Sequence, residues 1–270
     1  MTPDQPQGKK RKQLCYCLLA LAMGLLVCVA VVAYFVRARA QATGKVLEES
    51  KKQGFGVEQT IDKLGGREDA AVRCSFYVGL PDWVSPVDLK KRACHVLGEC
   101  GRDGVPGLVK LLDHQDPSVR GEAVMGLAAI GEPASEAIPT ILRACEKHDD
   151  SDIMLTMHAL LVIGSASEND LDELLPISYS SKPNVRLLAL REIAEVRPVS
   201  PPALSRLRKA ASDEDPFIRK KMAALLAFVD RKSPETQAVV RRLAKDSDPS
   251  VRQAATETLQ KIKAAQESKQ

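Results

Sequence analysis

The chain has 270 residues, a formal net charge of +4, 27% charged residues and only 4% aromatic residues. Its basic excess is local, since residues 1–40 contain six Lys and Arg residues but one Asp. The rest of the chain is therefore almost balanced in charge. A nucleic-acid-binding domain normally shows a basic stripe and a high isoelectric point, so the charge argues against nucleic acid as a partner.

The first predicted element is a hydrophobic helix. Residues 1–13 form a basic tail, and residues 14–36 follow as 23 residues without a charge. At ~1.5 Å per residue this segment spans roughly 34 Å, enough for the ~30 Å hydrocarbon core of a bilayer. A cleaved signal peptide has an apolar region of only ~7–15 residues. The segment therefore predicts an uncleaved, single-pass transmembrane helix that contacts the lipid bilayer. Cleavage is the alternative, because Ala38-Arg39-Ala40 resembles a signal-peptidase site.

The residues around this segment bear on topology and assembly. Basic residues resist translocation, so the tail predicts a cytoplasmic amino terminus and an extracytoplasmic repeat domain. Residues 37–54 carry mixed charge and indicate a short solvated stalk or linker. Ala20, Gly24 and Cys28 lie four apart, a spacing of small residues that is compatible with a homodimer but common by chance.

Residues 55–103 predict divergent helices that cap the amino-terminal end of a stacked array. Val57–Leu64 and Glu68–Leu80 are amphipathic, and a pair of glycines separates them. A terminal unit has only one neighbour and needs a modified outer face, which explains the divergence. Trp83 follows in a Pro-bounded connection. It either anchors the cap or faces a partner, since exposed Trp often carries binding energy.

Residues 104–268 repeat with a period of 33 residues. Four tags share the pattern Pro, any residue, an aliphatic residue and Arg. They begin at Pro117, Pro183, Pro216 and Pro249. The same shift aligns apolar columns whose members lie three or four residues apart within a unit, which is helical spacing. One column consists of Leu127, Leu160, Ile193, Leu226 and Leu259. The period indicates five stacked helix pairs.

Capping residues divide the units into helices. Asp116, Asp215 and Asp248 precede the prolines of three tags and predict N-caps, with Pro at the first helical position. Gly131 and Gly164 occupy matching positions and predict helix ends, where a positive φ is needed.

These residues resemble a known family. The Asp-Pro-x-Val-Arg tag, the Ala-rich second helix and the closing Ile-Gly are similar to HEAT repeats, above all the short bacterial form named after phycobilin lyases. The resemblance covers residues 85–265. It implies an all-α, right-handed solenoid of stacked helix pairs, here preceded by the transmembrane helix. Asp152 and Lys182 depart from the motif, in the valine column and at the position of the capping Asp.

The same resemblance assigns a role to the tag arginines. In HEAT-like stacks the Asp of one unit commonly meets the Arg of a neighbour, which ties the units together. Four arginines match this position: Arg120, Arg186, Arg219 and Arg252. A ligand-binding arginine ladder is the alternative interpretation.

Charge is distributed unevenly along the chain. Residues 183–270 contain 18 basic and 11 acidic residues, whereas residues 41–182 contain 15 and 23. Solvated helix faces account for such a bias, and an acidic partner for the basic half is the alternative. The candidate partner-binding residues are Trp83, Arg191, Lys220, Lys221, Arg241 and Arg242.

The seven cysteines include no Cys-x-x-Cys pair, which argues against zinc and thioredoxin-like redox sites. Buried thiols are the simpler interpretation. A disulfide among Cys74, Cys94 and Cys100 becomes chemically feasible if the domain lies outside a reducing cytoplasm.

No set of residues predicts catalysis. His95 and Glu99 lie one helical turn apart, but nothing supplies further metal ligands. HEAT-repeat di-iron hydroxylases carry His-Glu dipeptides in several units, and this chain has none. We therefore predict no catalytic, cofactor-binding or metal-binding residue and no enzyme activity.

The predicted function is a non-enzymatic, membrane-anchored scaffold that presents a HEAT-repeat surface to another protein. Two alternatives stay open. One is an accessory, lyase-like protein that acts on a cofactor-bearing partner, although fold analogy alone cannot assign that activity. The other is a binder of an acidic polymer through the basic carboxyl half.

Overall fold

The computed structural model describes residues 7–54, 56–148 and 153–267. Side chains are described from residue 25 onward within those ranges, apart from Val27 and Glu267. Throughout these residues the chain forms α-helices and three short 3-10 helices, with no β-strand.

The described chain contains fourteen α-helices. Four precede the 33-residue repeats: α1 (Gln7–Gln53), α2 (Val57–Lys63), α3 (Arg67–Val78) and α4 (Val87–Glu99). Ten follow: α5 (Val105–Leu111), α6 (Pro117–Ile130), α7 (Ile138–Lys147), α8 (Ile153–Ile163), α9 (Leu171–Ile177), α10 (Pro183–Glu195), α11 (Pro201–Ala210), α12 (Pro216–Asp230), α13 (Pro234–Leu243) and α14 (Pro249–Glu267). They form five successive pairs, from α5 and α6 to α13 and α14.

Stacking of the pairs buries the apolar columns. The second helices pack side by side, α4 against α6, α6 against α8, α10 against α12 and α12 against α14. In the column listed above, the first four residues are fully buried and Leu259 is half-buried against the same core. Each buried aliphatic side chain contributes ~1.5–3 kcal/mol, so contact between neighbouring units stabilises the array. The stack of helix pairs predicted from the period is confirmed, and it is consistent with the HEAT-like architecture that the resemblance implies.

The predicted capping residues are in place. Asp116, Asp215 and Asp248 each accept a hydrogen bond at 2.8 Å from the amide two residues later. These bonds satisfy amides that have no partner inside the helix. Gly131 and Gly164 have φ values of 73° and 101°, which residues with a side chain rarely adopt.

The segment predicted as a solvated stalk is instead the carboxyl-terminal part of α1. One stripe of it, at spacings of three and four residues, is buried: Ala40, Thr43, Leu47 and Ser50. The helix packs against α2, α3 and α4. Gly44 permits a close approach, because a Cβ atom there would lie 3.2 Å from the Tyr77 ring. Residues 37–53 therefore close the end of the helical stack.

The predicted membrane segment comprises residues 14–36, of which the side chains of 14–24 and of Val27 lie outside the described residues. Ala20 and Gly24, which carry the homodimer prediction, are among them. Over the part of the chain that is described, no helix has both the length and the apolar composition needed to cross a bilayer. The predicted single-pass membrane localisation, with an extracytoplasmic repeat domain, is wrong on this finding.

Gly104 lies at a close contact between the cap and the first repeat. A Cβ atom at this position would lie 2.0 Å from the Leu97 carbonyl oxygen. We expect Gly104→Ala to lower the free energy of unfolding by about 1–3 kcal/mol, because the backbone must move to relieve the overlap. Urea denaturation followed by circular dichroism measures this change. Gly56→Ala is the control, since a Cβ there meets no atom within 4 Å, and an equal loss in both variants would contradict the prediction.

Candidate functional site

An apolar groove of about 630 Å³ opens between α8, α10 and α12. Ile153, Met154 and Met157 of α8 line one side of it, and Leu187 and Leu188 belong to α10. Met154 is 70% exposed, which is unusual for a large apolar side chain in a packed helical array. Contiguous exposed apolar surface of this kind marks interaction sites in folded proteins.

The side of the groove formed by α12 adds aromatic and cationic groups. Phe217 and Leu225 line it together with Lys221, whose ammonium lies 5.2 Å from the centre of the Phe217 ring. Arg191 of α10 is the second cation in the lining. No Asp or Glu lines the groove among the described residues. The groove thus combines apolar walls with a local positive charge.

The groove exists because the row of second helices is interrupted between α8 and α10. These two helices do not pack side by side as α6 and α8 do. Val124 and Ala128 of α6 are buried, with 7% and 6% exposure. One repeat later, Met157 and Leu161 of α8 are 37% and 61% exposed. The same two positions of the repeat are therefore covered by neighbouring helices on α6 and open to solvent on α8.

The sequence of the second unit departs from the motif at the same place. Ile153 occupies the position of the tag arginine, and the tag proline is replaced by Asp150. Asp150 and Asp152 belong to residues 149–152, which lie outside the described residues. The second unit therefore lacks the arginine that could tie it to the third.

Two tag arginines do tie their unit to the next. Arg186 donates two hydrogen bonds to the Asp213 carboxylate, at 2.9 and 2.8 Å. Arg219 binds Asp246 in the same bidentate way, at 2.9 and 2.8 Å. The Arg219 hydrogen bonds lower the pKa of Asp246 to about 2. These arginines are structural, as the family resemblance implied.

Among the described residues, the other two tag arginines form no ion pair with a following unit. Arg120 donates to the carbonyl oxygens of His114 and Gln115, at 2.8 and 3.0 Å. Arg252 makes the matching bonds within the last unit. Arg186 and Arg219 each pair with an Asp that lies 27 residues later in the chain. The residue at that distance from Arg120 is Lys147, which cannot act as a counter-ion. The arginine column is thus used differently along the chain.

Lys182 belongs to the third unit and binds back to the second, whereas Arg186 and Arg219 bind forward to the unit that follows them. Its ammonium donates to the carbonyl oxygens of Cys145, at 3.1 Å, and His148, at 2.5 Å. The His148 carbonyl corresponds to that of Gln115, which Arg120 binds one repeat earlier. Lys182 therefore satisfies a carbonyl that the missing arginine would have bound.

Glu192 of α10 is a buried carboxyl group at this junction. It is 1% exposed, and neither of its carboxylate oxygens has a hydrogen-bond partner among the described residues. Burial raises its pKa to about 7, while Arg191 and the nearby Ala166 amide act in the opposite direction. Matching positions in other units hold small or apolar residues, such as Gly126 and Leu225. Sequence reasoning missed this residue.

The structure brings two of the six candidate binding residues into one site. Arg191 and Lys221 line the groove, whereas Lys220, half-buried on α12, does not. Trp83 is 83% exposed in the turn between α3 and α4. Sequence reasoning also missed the apolar groove residues, although the sequence of α8, in which only Thr156 and His158 are polar, was a usable signal. A helix that is hydrophobic on every side requires cover on every side.

The two remaining candidates lie on α13, away from the groove. Arg241 is exposed, and Arg242 donates a hydrogen bond to the Ser212 hydroxyl at 2.8 Å. The groove is formed by second helices, whereas α13 is the first helix of its pair. Arg241 and Arg242 therefore remain predicted binding residues outside the groove.

The cysteines of the cap and first units are free thiols. Cys74, Cys94 and Cys100 are buried and form no disulfide. Burial raises the pKa to about 12 for Cys74 and Cys94 and to about 11 for Cys100. Thiols with such values carry almost no thiolate at neutral pH and are poor nucleophiles.

Metal-binding side chains are dispersed. The described residues contain no group of three or more His, Cys, Asp and Glu side chains that could hold an ion. His95 faces Glu122 of α6, with a 3.4 Å separation between nitrogen and oxygen. That contact joins two neighbouring helices.

Comparison with known structures gives weak likenesses. Human deoxyhypusine hydroxylase in complex with glycerol is 16% identical, with 87% of this chain and 99% of that one covered and a TM-score of 0.32. Two engineered proteins are each 18% identical with a TM-score of 0.32. They cover 82% and 83% of this chain and 96% and 92% of their own. Such values carry no argument about function. No curated protein matches the sequence.

Comparison with protein families is more informative. Residues 85–162 and 171–260 match the model of HEAT repeats. The matched ranges contain the four tags, the capping residues Asp116, Asp215 and Asp248 and the buried column that begins at Leu127, and they cover more than half of the chain. The chain therefore belongs to the HEAT-repeat family.

Proposed function

We propose that the chain is a scaffold that binds another protein, and that the groove between α8, α10 and α12 is its binding site. One observation supports this above all: Met154, Met157 and Phe217 are exposed around a single apolar groove. HEAT repeats suggest a repeat scaffold, and extended repeat surfaces are suited to binding. Partner segments commonly dock in such hydrophobic grooves between helices.

We also propose that the protein is not an enzyme. The groove combines apolar side chains with Asn184, Arg191 and Lys221, and the described residues of its lining include no nucleophile paired with a base. Catalysis would require such converging groups. The lyase-like alternative would require a cofactor-bearing partner, and the acidic-polymer alternative would use the basic side chains of residues 183–270.

Two finer features of the fold are part of this proposal. The Asp-Pro-x-Val-Arg tags favour the short repeat variety named after phycobilin lyases. The resemblance to HEAT-like stacks implies a right-handed superhelix, and the second helices typically line the concave face of such a stack. The groove would then lie on that concave face.

Site-specific photo-cross-linking in cells tests the scaffold proposal. A photoreactive residue replaces Met157, which lines the groove, or Val162, which is exposed on the same helix and does not line it. We expect a discrete protein adduct from position 157 that position 162 does not give. Leu187→Glu should abolish that adduct, because a charge in the groove disfavours apolar docking.

Circular dichroism verifies that each variant remains folded. Identical adducts from both positions, or an adduct that survives Leu187→Glu, would show that the groove does not select the partner.

A further inference from the structure

We propose that the groove binds an amphipathic α-helix of the partner protein, with an apolar face flanked by carboxylates. This inference rests on the proposed function of the groove and specifies the chemistry of the partner. It follows from the shape, the apolar surface and the charge of the lining.

The shape of the lining suits a helix. Met154 and Met157 lie three residues apart on α8, and Phe217 and Lys221 lie four apart on α12. Side chains at these spacings form ridges along a helix surface. Ridges of one helix pack into the spaces between ridges of another, which gives helix–helix packing its preferred geometry. Because α8 and α10 do not pack side by side, an additional helix can cover their exposed ridges.

The apolar surface of the groove requires an apolar face on the partner. Met154, Met157 and Phe217 are 70%, 37% and 48% exposed. Methionine side chains adapt their shape to a bound surface, which suits a docking groove. A helix with Leu or Ile at every third and fourth position presents the matching stripe.

The charge of the groove favours carboxylates beside that stripe. Arg191 and Lys221 line the groove, and neither forms a salt bridge with a described residue. Their counterparts in the next repeat are Ala224 and Ala254, so this pair of cations is specific to the groove. The neighbouring Glu192 side chain is buried and does not line the groove. Opposite charges across an interface favour the matching partner and disfavour a like-charged one.

Fluorescence anisotropy with the full chain and model peptides tests the proposal. The probe is a labelled helical peptide with Leu at every third and fourth position and Glu beside them. One control peptide has Lys in place of each Glu, and another has Gln in place of each Leu. We expect the acidic peptide to bind at least about tenfold more tightly than the Lys peptide, and the Gln peptide to lose binding.

A matched pair of charge-reversed proteins locates the effect. Arg191→Glu with Lys221→Glu should reverse the preference. Arg231→Glu with Lys232→Glu, in the exposed turn after α12 and outside the groove, changes the net charge equally and should preserve it. Both pairs are also compared in a chain in which Asn replaces Asp149, Asp150 and Asp152. The carboxylates of these residues then cannot compete with the peptide for Arg191 and Lys221.

Three results would overturn the inference: no binding of the acidic peptide, equal affinity for the acidic and Lys peptides, or equal effects of the two charge reversals. The scaffold proposal is judged separately by the Met157 cross-link. A cross-link without any acidic preference means that only the chemistry assigned to the partner is wrong.

Discussion

Arg186→Ala is expected to lower the free energy of unfolding of the full chain by about 3–5 kcal/mol. The Arg186 and Asp213 side chains are only 7% and 9% exposed. Truncation leaves the Asp213 carboxylate buried without its counter-ion and removes a 2.7 Å hydrogen bond to the Ser180 carbonyl. Removal of one partner from a buried ion pair is costly because the remaining charge is uncompensated. Urea denaturation at neutral pH measures the loss.

The repeat supplies a control at the same position of its motif. Arg252 makes the equivalent carbonyl bonds but forms no ion pair with a described residue. We expect Arg252→Ala to cost less than about 1.5 kcal/mol, the range of ordinary hydrogen bonds. The double variant Arg186→Ala with Asp213→Ala should lose less than the sum of the single variants. Equal losses for Arg186→Ala and Arg252→Ala would show that the ion pair contributes nothing.

The periodic features of the fold could be predicted because every unit repeats the same physical requirement. Each helix pair must bury one apolar stripe against the neighbouring pair, so Leu127 and its counterparts recur every 33 residues. The arginine ties were only partly predictable. Asp215 uses its carboxylate to cap its own helix, so Asp213 is the residue that accepts from Arg186. The sequence shows three candidate carboxylates in a row, with Glu214 between them, and only the geometry of the turn distinguishes them.

The groove could not be predicted from the period, because it arises where the period fails. Ile153 and Asp152 were visible as departures from the motif, but a departure does not reveal how neighbouring helices shift. The same holds for residues 37–54. Their buried stripe includes Thr43 and Ser50, so small and polar residues hide the amphipathic pattern that would have distinguished a packed helix from a stalk.

Ionisation of Glu192 is expected to lower the free energy of unfolding by roughly 3 kcal/mol as the pH rises from 4.5 to 7. Burial raises the pKa of this carboxyl from 4.5 to about 7 in the folded chain. Below pH 4.5 it is protonated in both states, and above about pH 7 it is ionised in both. Between these values only the unfolded state releases the proton. Rising pH therefore favours unfolding across this window.

Glu192→Gln removes the titration while it preserves the shape of the side chain. We expect the free energy of unfolding of the variant, measured relative to the original chain, to rise by roughly 3 kcal/mol between pH 4 and pH 8. Titration of all other groups is common to both proteins and cancels in the difference. Glu48→Gln is the control: the hydrogen bond from Lys52 lowers the pKa of Glu48, so this variant should show no such rise. If the Glu192→Gln difference stays constant with pH, the buried carboxyl is ionised in the folded chain, and a counter-charge must then reach it within the junction between the second and third units.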